Sequence, residues 1–132
     1  MTPKWIRHFF ILFLLFIVFF SFATDLAKIQ RGSFFSDEST YFSITQSLAH
    51  DGDLRYDRAD IIRIRGQFWG GPTGIFLTKA KDGRLFFAKS FVYPLAAAPF
   101  YRLFGTHGIL LANGLMIFFT LLMGFLLLRQ HH

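Results

Sequence analysis

Chemistry in this sequence can come from three groups of side chains: Asp37-Glu38, Asp51-Gly52-Asp53, and a basic set of Arg55, Arg58, Arg63, Arg65 and Lys89. A carboxylate within hydrogen-bond reach of a hydroxyl can take its proton as the oxygen attacks, so Asp37 and Glu38 are candidate catalytic groups. Guanidinium forks and an ammonium group suit phosphate oxygens, which makes the basic set a candidate phosphate site. Each group also has a plainer reading. Acids at the start of a helix suit its dipole. Asp51-Gly52-Asp53 has the form of the Asp-x-Asp metal pair of nucleotide-sugar transferases, yet the same residues make a good helix end. Basic side chains beside a bilayer attract anionic headgroups by about 1 kcal/mol each. His50 adjoins Asp51, but no second histidine is near it in sequence.

Several function classes drop out early. The chain has no cysteine, which removes disulfides and thiolate metal sites. It has no Walker motif, dinucleotide loop, nucleophile elbow or HExxH helix. The net charge of +6 comes with no nucleic-acid recognition motif, so nucleic acid is not an expected partner. No cofactor is expected from the motifs, with a divalent metal left open.

The elements that must position these groups follow from local pattern. Ser36 can cap a helix over residues 36–50, with Asp37 and Glu38 in its first turn and Tyr41, Ile44 and Leu48 along one face. Gly52 suits the left-handed position after that helix. Ile61, Ile62 and Ile64 suggest a short strand with Arg63 and Arg65 on one side. Residues 68–74 form a turn-rich aromatic hinge, and residues 75–88 read as a β-hairpin through Asp82-Gly83. The hairpin delivers Lys89 to a segment, residues 90–104, that contains Pro94 and Pro99. That short, proline-interrupted segment fits an interfacial or re-entrant helix on the outer face better than a third crossing, which would put Arg129 on the wrong side.

The ends of the chain set the wider frame. Of its residues 53% are apolar and 20% aromatic, concentrated in residues 9–23 and 109–128. All eight acidic and eleven of the fourteen basic residues lie between Thr24 and Gly108. A bilayer core needs about 20 apolar residues in helical form. The expected fold class is therefore mainly α and integral to the membrane, with two transmembrane helices, residues 1–23 and 107–129, flanking an external loop, residues 24–106. Lys4 and Arg7 before the first and Arg129 after the last place both termini in the cytoplasm. The basic loop does not oppose this, because the charge rule fails for loops beyond ~60 residues. The expected location is the inner (plasma) membrane, with the loop periplasmic. A competing reading of Ser21-Phe22-Ala23 is a signal-peptide cleavage site that would release a secreted basic domain.

Taken in order, DESTYFSITQSLAHDGDL (residues 37–54), GPTGIFLTKAKDGRLFFAKSFVYPLAAAPFYRLFG (71–105) and THGILLANGLM (106–116) resemble the start of an inverting GT-C type glycosyltransferase. Protein O-mannosyltransferases and lipid A aminoarabinose transferases are of this kind. The resemblance implies transfer of a sugar from a polyprenyl-phosphate donor to an acceptor hydroxyl on the outer face of the membrane. It implies Asp37 as base or acceptor-orienting group, with Glu38 beside it. It implies Lys89 as a contact to the lipid phosphate, with Arg63 and Arg65 as further candidates. Some relatives carry Lys-Pro-Pro where this chain has Lys89-Ser90-Phe91 and a later Pro94, and an acid where it has Ala88. Family members have many more membrane helices, so the chain corresponds to an N-terminal part not expected to act alone. Its expected partners are membrane lipid, the polyprenyl-phosphate-linked sugar and further transmembrane helices. The other class considered is a small non-enzymatic membrane-anchored interaction protein, docking through Gly114 and Gly124 of the second helix.

Overall fold

A computed structural model describes residues 4–29 and 33–130. Among them the chain is mainly helical, with six helices and five short strands. The helices are α1 (Lys4–Ala23), α2 (Leu26–Ile29), α3 (Ser36–His50), α4 (Arg58–Gln67), α5 (Val92–Phe104) and α6 (Thr106–Gln130). The strands are β1 (Ser33–Phe35), β2 (Arg55–Tyr56), β3 (Gly71–Thr73), β4 (Leu77–Lys79) and β5 (Leu85–Phe87).

α1 and α6 are long and apolar enough to cross a membrane, each with a mean hydropathy of 2.3 over its best window. They pack antiparallel. Ile17, Leu111 and Phe118 form a cluster between them, and Phe10 meets Phe118 edge-on at 5.8 Å. At the other end the His107 ring nitrogen Nδ1 lies 3.0 Å from the Ser21 carbonyl oxygen. Gly114 lies directly under Ile17, leaving no room for a Cβ without moving that side chain. Only 11% of each apolar window is buried within the chain, so two apolar helices face outward nearly all round.

Between them folds a small domain centred on α3, which packs on α5, which in turn packs on α6. A core of Phe42, Ile64, Phe68, Tyr101 and Ile109, flanked by Leu26, Ala27 and Ala49, draws α2, α3, α4, α5 and the start of α6 together. Full burial of each large apolar side chain there contributes about 1.5–3 kcal/mol. α3 is unusual for a buried helix in carrying Ser39, Thr40, Ser43, Thr45, Gln46 and Ser47 inside. Most of these hydroxyls satisfy themselves on their own helix, as Ser43 does on the Ser39 carbonyl at 2.6 Å and Thr45 on that of Tyr41 at 2.8 Å. The Gln46 amide instead donates to the Tyr101 hydroxyl at 2.6 Å and to Gln67 Oε1 at 2.9 Å, which stitches α3, α4 and α5.

α4 occupies the stretch that the isoleucines suggested as a strand. Its helical start is fixed by Asp57, whose side chain accepts from the Ala59 amide at 2.8 Å while Asp60 accepts from the Asp57 amide at 2.9 Å. This reciprocal capping, together with Ile64 and Phe68 one turn apart in the core, outweighs the β-branched preference. As a result Arg63 and Arg65 point to different sides, being about 200° apart around a helix.

The strands are short. β1 and β3 pair in parallel, Ser33 opposite Gly71. β4 and β5 form an antiparallel hairpin closed by Gly83 at φ +87°, and β2 joins its other edge.

Candidate functional site

Asp37 stands in the first turn of α3, where the dipole favours a carboxylate. The chain enters that turn through Ser36 at φ +57°, a left-handed conformation, with Phe35 as the flanking residue and no side-chain cap. Ser36 is thus not the capping residue that its type suggested. A tertiary contact meets the backbone there: a Cβ on Gly74 would lie 3.1 Å from the Ser36 nitrogen, so the residue after β3 packs against Ser36.

Lys89 reaches the same place from the hairpin side. Its ammonium nitrogen lies 2.9 Å from Asp37 Oδ1 and 4.2 Å from the centre of the Phe76 ring. Phe76 is itself held, donating its amide to Thr40 Oγ1 at 3.1 Å and accepting from the Ala88 amide at 2.9 Å. Thr40 is one turn beyond Asp37 on α3. The base of the hairpin, the first turn of α3 and the entry to α5 therefore lock around one ion pair. The Lys89 side chain is 28% exposed and that of Asp37 56%, so the pair is reachable from solvent.

Glu38 turns elsewhere, as the next residue on a helix must, by about 100°. It lines a cavity of about 240 Å³ between α3, α5 and α6, along with Tyr41, Thr45, Tyr93 and Asn113. Tyr41 and Tyr93 meet edge-to-face at 6.0 Å. Burial pushes the Tyr93 phenol above its ordinary pKa, and a hydrogen bond with Asn113 acts against that. The cavity walls offer aromatic faces, hydroxyls, an amide and a carboxylate. That mixture can hold a small polar molecule with apolar faces. Its only traces in the sequence are Tyr41 on the helix face and Asn113 as a polar residue in an apolar run.

Among the other candidate residues Arg63, Asp51 and Asp53 have hydrogen-bonded partners nearby. Arg63 donates to Asp51 through both terminal guanidinium nitrogens and to Asp60 Oδ1 at 2.6 Å, and its side chain is 23% exposed. It ties the end of α3 to α4. Burial pushes the Asp60 carboxyl up, although the Asp57 amide and Arg63 pull the other way. Arg65 lays its stem over Gly71, with Cγ 3.2 Å from where a Cβ would sit. Neither arginine forms an ion pair with Asp37. Asp51 closes α3 as its last cap, and Gly52 follows at φ +73°. Asp53 accepts from the Arg55 amide at 3.0 Å and from Ser47 Oγ at 3.2 Å. Among the described residues no three His, Asp or Glu side chains group as a metal site. The His50 ring rests edge-on against Tyr101 at 5.9 Å.

Of the residues singled out for chemistry, the fold thus brings Asp37 and Lys89 together, sets Glu38 in the neighbouring cavity, and holds Arg63 and Arg65 in separate contacts. Compared with protein-family models, curated proteins and solved structures, the chain matches none.

Proposed function

We propose that this chain forms the first two transmembrane helices and first external loop of a GT-C type glycosyltransferase. The enzyme moves a sugar from a polyprenyl-phosphate donor to an acceptor hydroxyl at the outer face of the membrane. The observation that carries this reading is the Asp37–Lys89 pair at 2.9 Å. Asp37 and Lys89 lie far apart in sequence, on α3 and after the hairpin, and both are partly open to solvent.

In this reading α1 and α6 cross the inner membrane with both ends in the cytoplasm and the domain between them in the periplasm. Lys89 holds the lipid phosphate and stabilises the charge left on it as the sugar departs. Asp37 accepts the proton of the attacking hydroxyl. Glu38, with Tyr41, Tyr93 and Asn113, lines the space next to the reacting groups. Arg63 supports the loop by its pairs with Asp51 and Asp60 rather than meeting phosphate directly.

Native mass spectrometry of the full chain with a polyprenyl phosphate, and with the free polyprenol of equal length, tests the reading. The phosphate should bind preferentially, and Lys89→Ala should remove the preference. Equal binding of alcohol and phosphate would overturn the donor assignment. In the intact enzyme Asp37→Asn should abolish transfer while insertion persists, and normal turnover by that variant removes Asp37 from the mechanism.

A further inference from the structure

The outward side of α4 carries side chains that the proposed mechanism does not use. At 100° per residue Arg58, Ile62 and Arg65 fall within about 60° of one another, on the side opposite Asp60 and Ile64. Asp60 and Ile64 are each 1% exposed, whereas Ile62 is 61% exposed. The stripe continues past the end of the helix. The Gly71 amide donates to the Phe68 carbonyl at 2.8 Å, closing a tight turn that plugs Phe68 into the core and projects Trp69, 84% exposed. The stem of Arg65 lies across Gly71, at the foot of the same turn.

Among the described residues Ile62 and Trp69 belong to neither apolar cluster. Neither Arg58 nor Arg65 forms an ion pair among the described residues. Arg58 also begins α4, where a positive charge opposes the helix dipole and weakens the helix. An exposed isoleucine and an exposed tryptophan beside two arginines make a surface that suits the boundary of an anionic bilayer.

The position of α4 suits that partner. Its inner face, Ile64 and Phe68, belongs to the cluster that contains Ile109 near the start of α6 and Leu26 and Ala27 just beyond the end of α1. The His107–Ser21 contact marks where those two apolar helices meet at that end. α4 is therefore held at the level where both helices would leave the hydrocarbon, which is the level of the headgroups.

We infer that the Arg58–Ile62–Arg65 stripe of α4 and the Trp69 turn form a docking face for anionic lipid headgroups. The arginines meet the phosphates, and Ile62 and the indole sink beside them. The inference rests on the membrane half of the proposed function and not on sugar transfer.

Trp5 and Trp69 are the two tryptophans of the chain, so the Trp5→Phe variant reports on Trp69 alone. The full chain carrying that change is placed in nanodiscs of phosphatidylcholine, with or without phosphatidylglycerol. With the anionic lipid, Trp69 emission should move to the blue and acrylamide quenching should fall by about twofold or more, in keeping with headgroup attraction. Added salt should reverse the change, and so should Arg58→Gln with Arg65→Gln, an exposed pair whose loss leaves the core untouched. Equal quenching in both lipids overturns the inference. Protection that ignores lipid type and grows with the number of chains per disc also overturns it, because a second copy then covers the face. Protease protection of α1 and α6, read on the same discs, separates failure of this inference from failure of membrane insertion.

Discussion

Exchanging the charges of Asp37 and Lys89 separates a structural role for the pair from a phosphate-binding one. With one partner 56% and the other 28% exposed, the ion pair stabilises the fold by roughly 0.2–1 kcal/mol. The ammonium over the Phe76 ring at 4.2 Å adds about 0.5–1 kcal/mol. In the double variant Asp37→Lys with Lys89→Asp the attraction between the two positions survives. The contact with Phe76 is lost, and a lysine in the first turn of α3 opposes the dipole at about 0.3–1 kcal/mol. The total cost is on the order of 1–2 kcal/mol, small beside the 5–15 kcal/mol of a typical domain. Binding of a phosphate responds differently. It loses a charged hydrogen bond of about 1.5–3 kcal/mol, or roughly 10- to 150-fold in affinity, before any repulsion from the new carboxylate. The assay pairs amide hydrogen exchange of α3 and the hairpin with native mass spectrometry of the polyprenyl phosphate complex. The expected result is near-normal protection with binding reduced at least tenfold. Undiminished phosphate binding by the swapped chain would show that Lys89 does not hold the phosphate, and would leave the pair as a clamp between α3 and the hairpin.

Three further outcomes follow from the same structure. A Cβ at Gly108 would land on the backbone carbonyl of Phe100 and 2.9 Å from the Tyr101 nitrogen, and backbone cannot rotate away. Gly108→Ala should therefore part α5 from α6 at a cost of about 1–3 kcal/mol or more, seen as faster exchange of α5 amides. Gly124→Ala, with nothing within 4 Å, serves as the silent control. Asp60 is an acid whose pKa burial raises, so the folded state binds its proton more readily than the unfolded state. The stability difference between the native chain and Asp60→Asn should then move in favour of the native chain as pH falls from neutral through the raised pKa. A flat difference in α4 exchange over that range would contradict the assignment. Topology is open to thiol labelling, because the chain has no cysteine of its own. Lys81→Cys at the exposed hairpin turn should react with an impermeant reagent in intact cells and Gln130→Cys should not, whereas labelling of both would refute the two-crossing arrangement.

Some of this architecture is written in local pattern and some is not. The two apolar helices, the helix from Ser36 to His50 and the Asp82-Gly83 hairpin follow from composition, caps and turn residues, each set by neighbours in sequence. α4 was hidden because Ile61, Ile62 and Ile64 favour a strand, and because its capping box uses Asp60 at the position where Glu or Gln is the usual sign. The interior of α3 was hidden more deeply. Its apolar face suggested Tyr41, Ile44 and Leu48, yet of these only Ile44 is buried, and the helix buries Phe42, Ser43, Thr45, Gln46 and Ser47 with it. Polar residues at such positions look solvated until their partners are known, and Gln46 finds its partners in Tyr101 and Gln67, both distant in sequence. Asp37 and Lys89 stand out separately, by residue type and by the resemblance, with nothing in the sequence to join them. Their contact depends on Phe76 and Gly74 fixing the hairpin and β3 against the first turn of α3, a tertiary arrangement that no local pattern encodes.

The ion pair also bears on how a carboxylate beside a cation can serve as a base. In the structure Lys89 occupies Asp37 Oδ1, and an acceptor hydroxyl would have to compete with an ammonium group for that oxygen. The phosphodiester of the donor carries one charge, as the carboxylate does, and offers two charged oxygens, so a lipid phosphate arriving at Lys89 competes with Asp37 for the ammonium. Asp37 is then left facing the site without its cation, able to accept a hydrogen bond from the hydroxyl. Under the proposed function, donor binding thereby prepares the base, and the carboxylate stays engaged until the donor is in place. The order has a measurable signature: acceptor binding to the intact enzyme should tighten when polyprenyl phosphate is present. Lys89→Met, which frees Asp37 permanently, should abolish that coupling while retaining acceptor binding. If acceptor affinity is the same with and without the lipid phosphate, the two sites are independent and the pair does not gate the reaction.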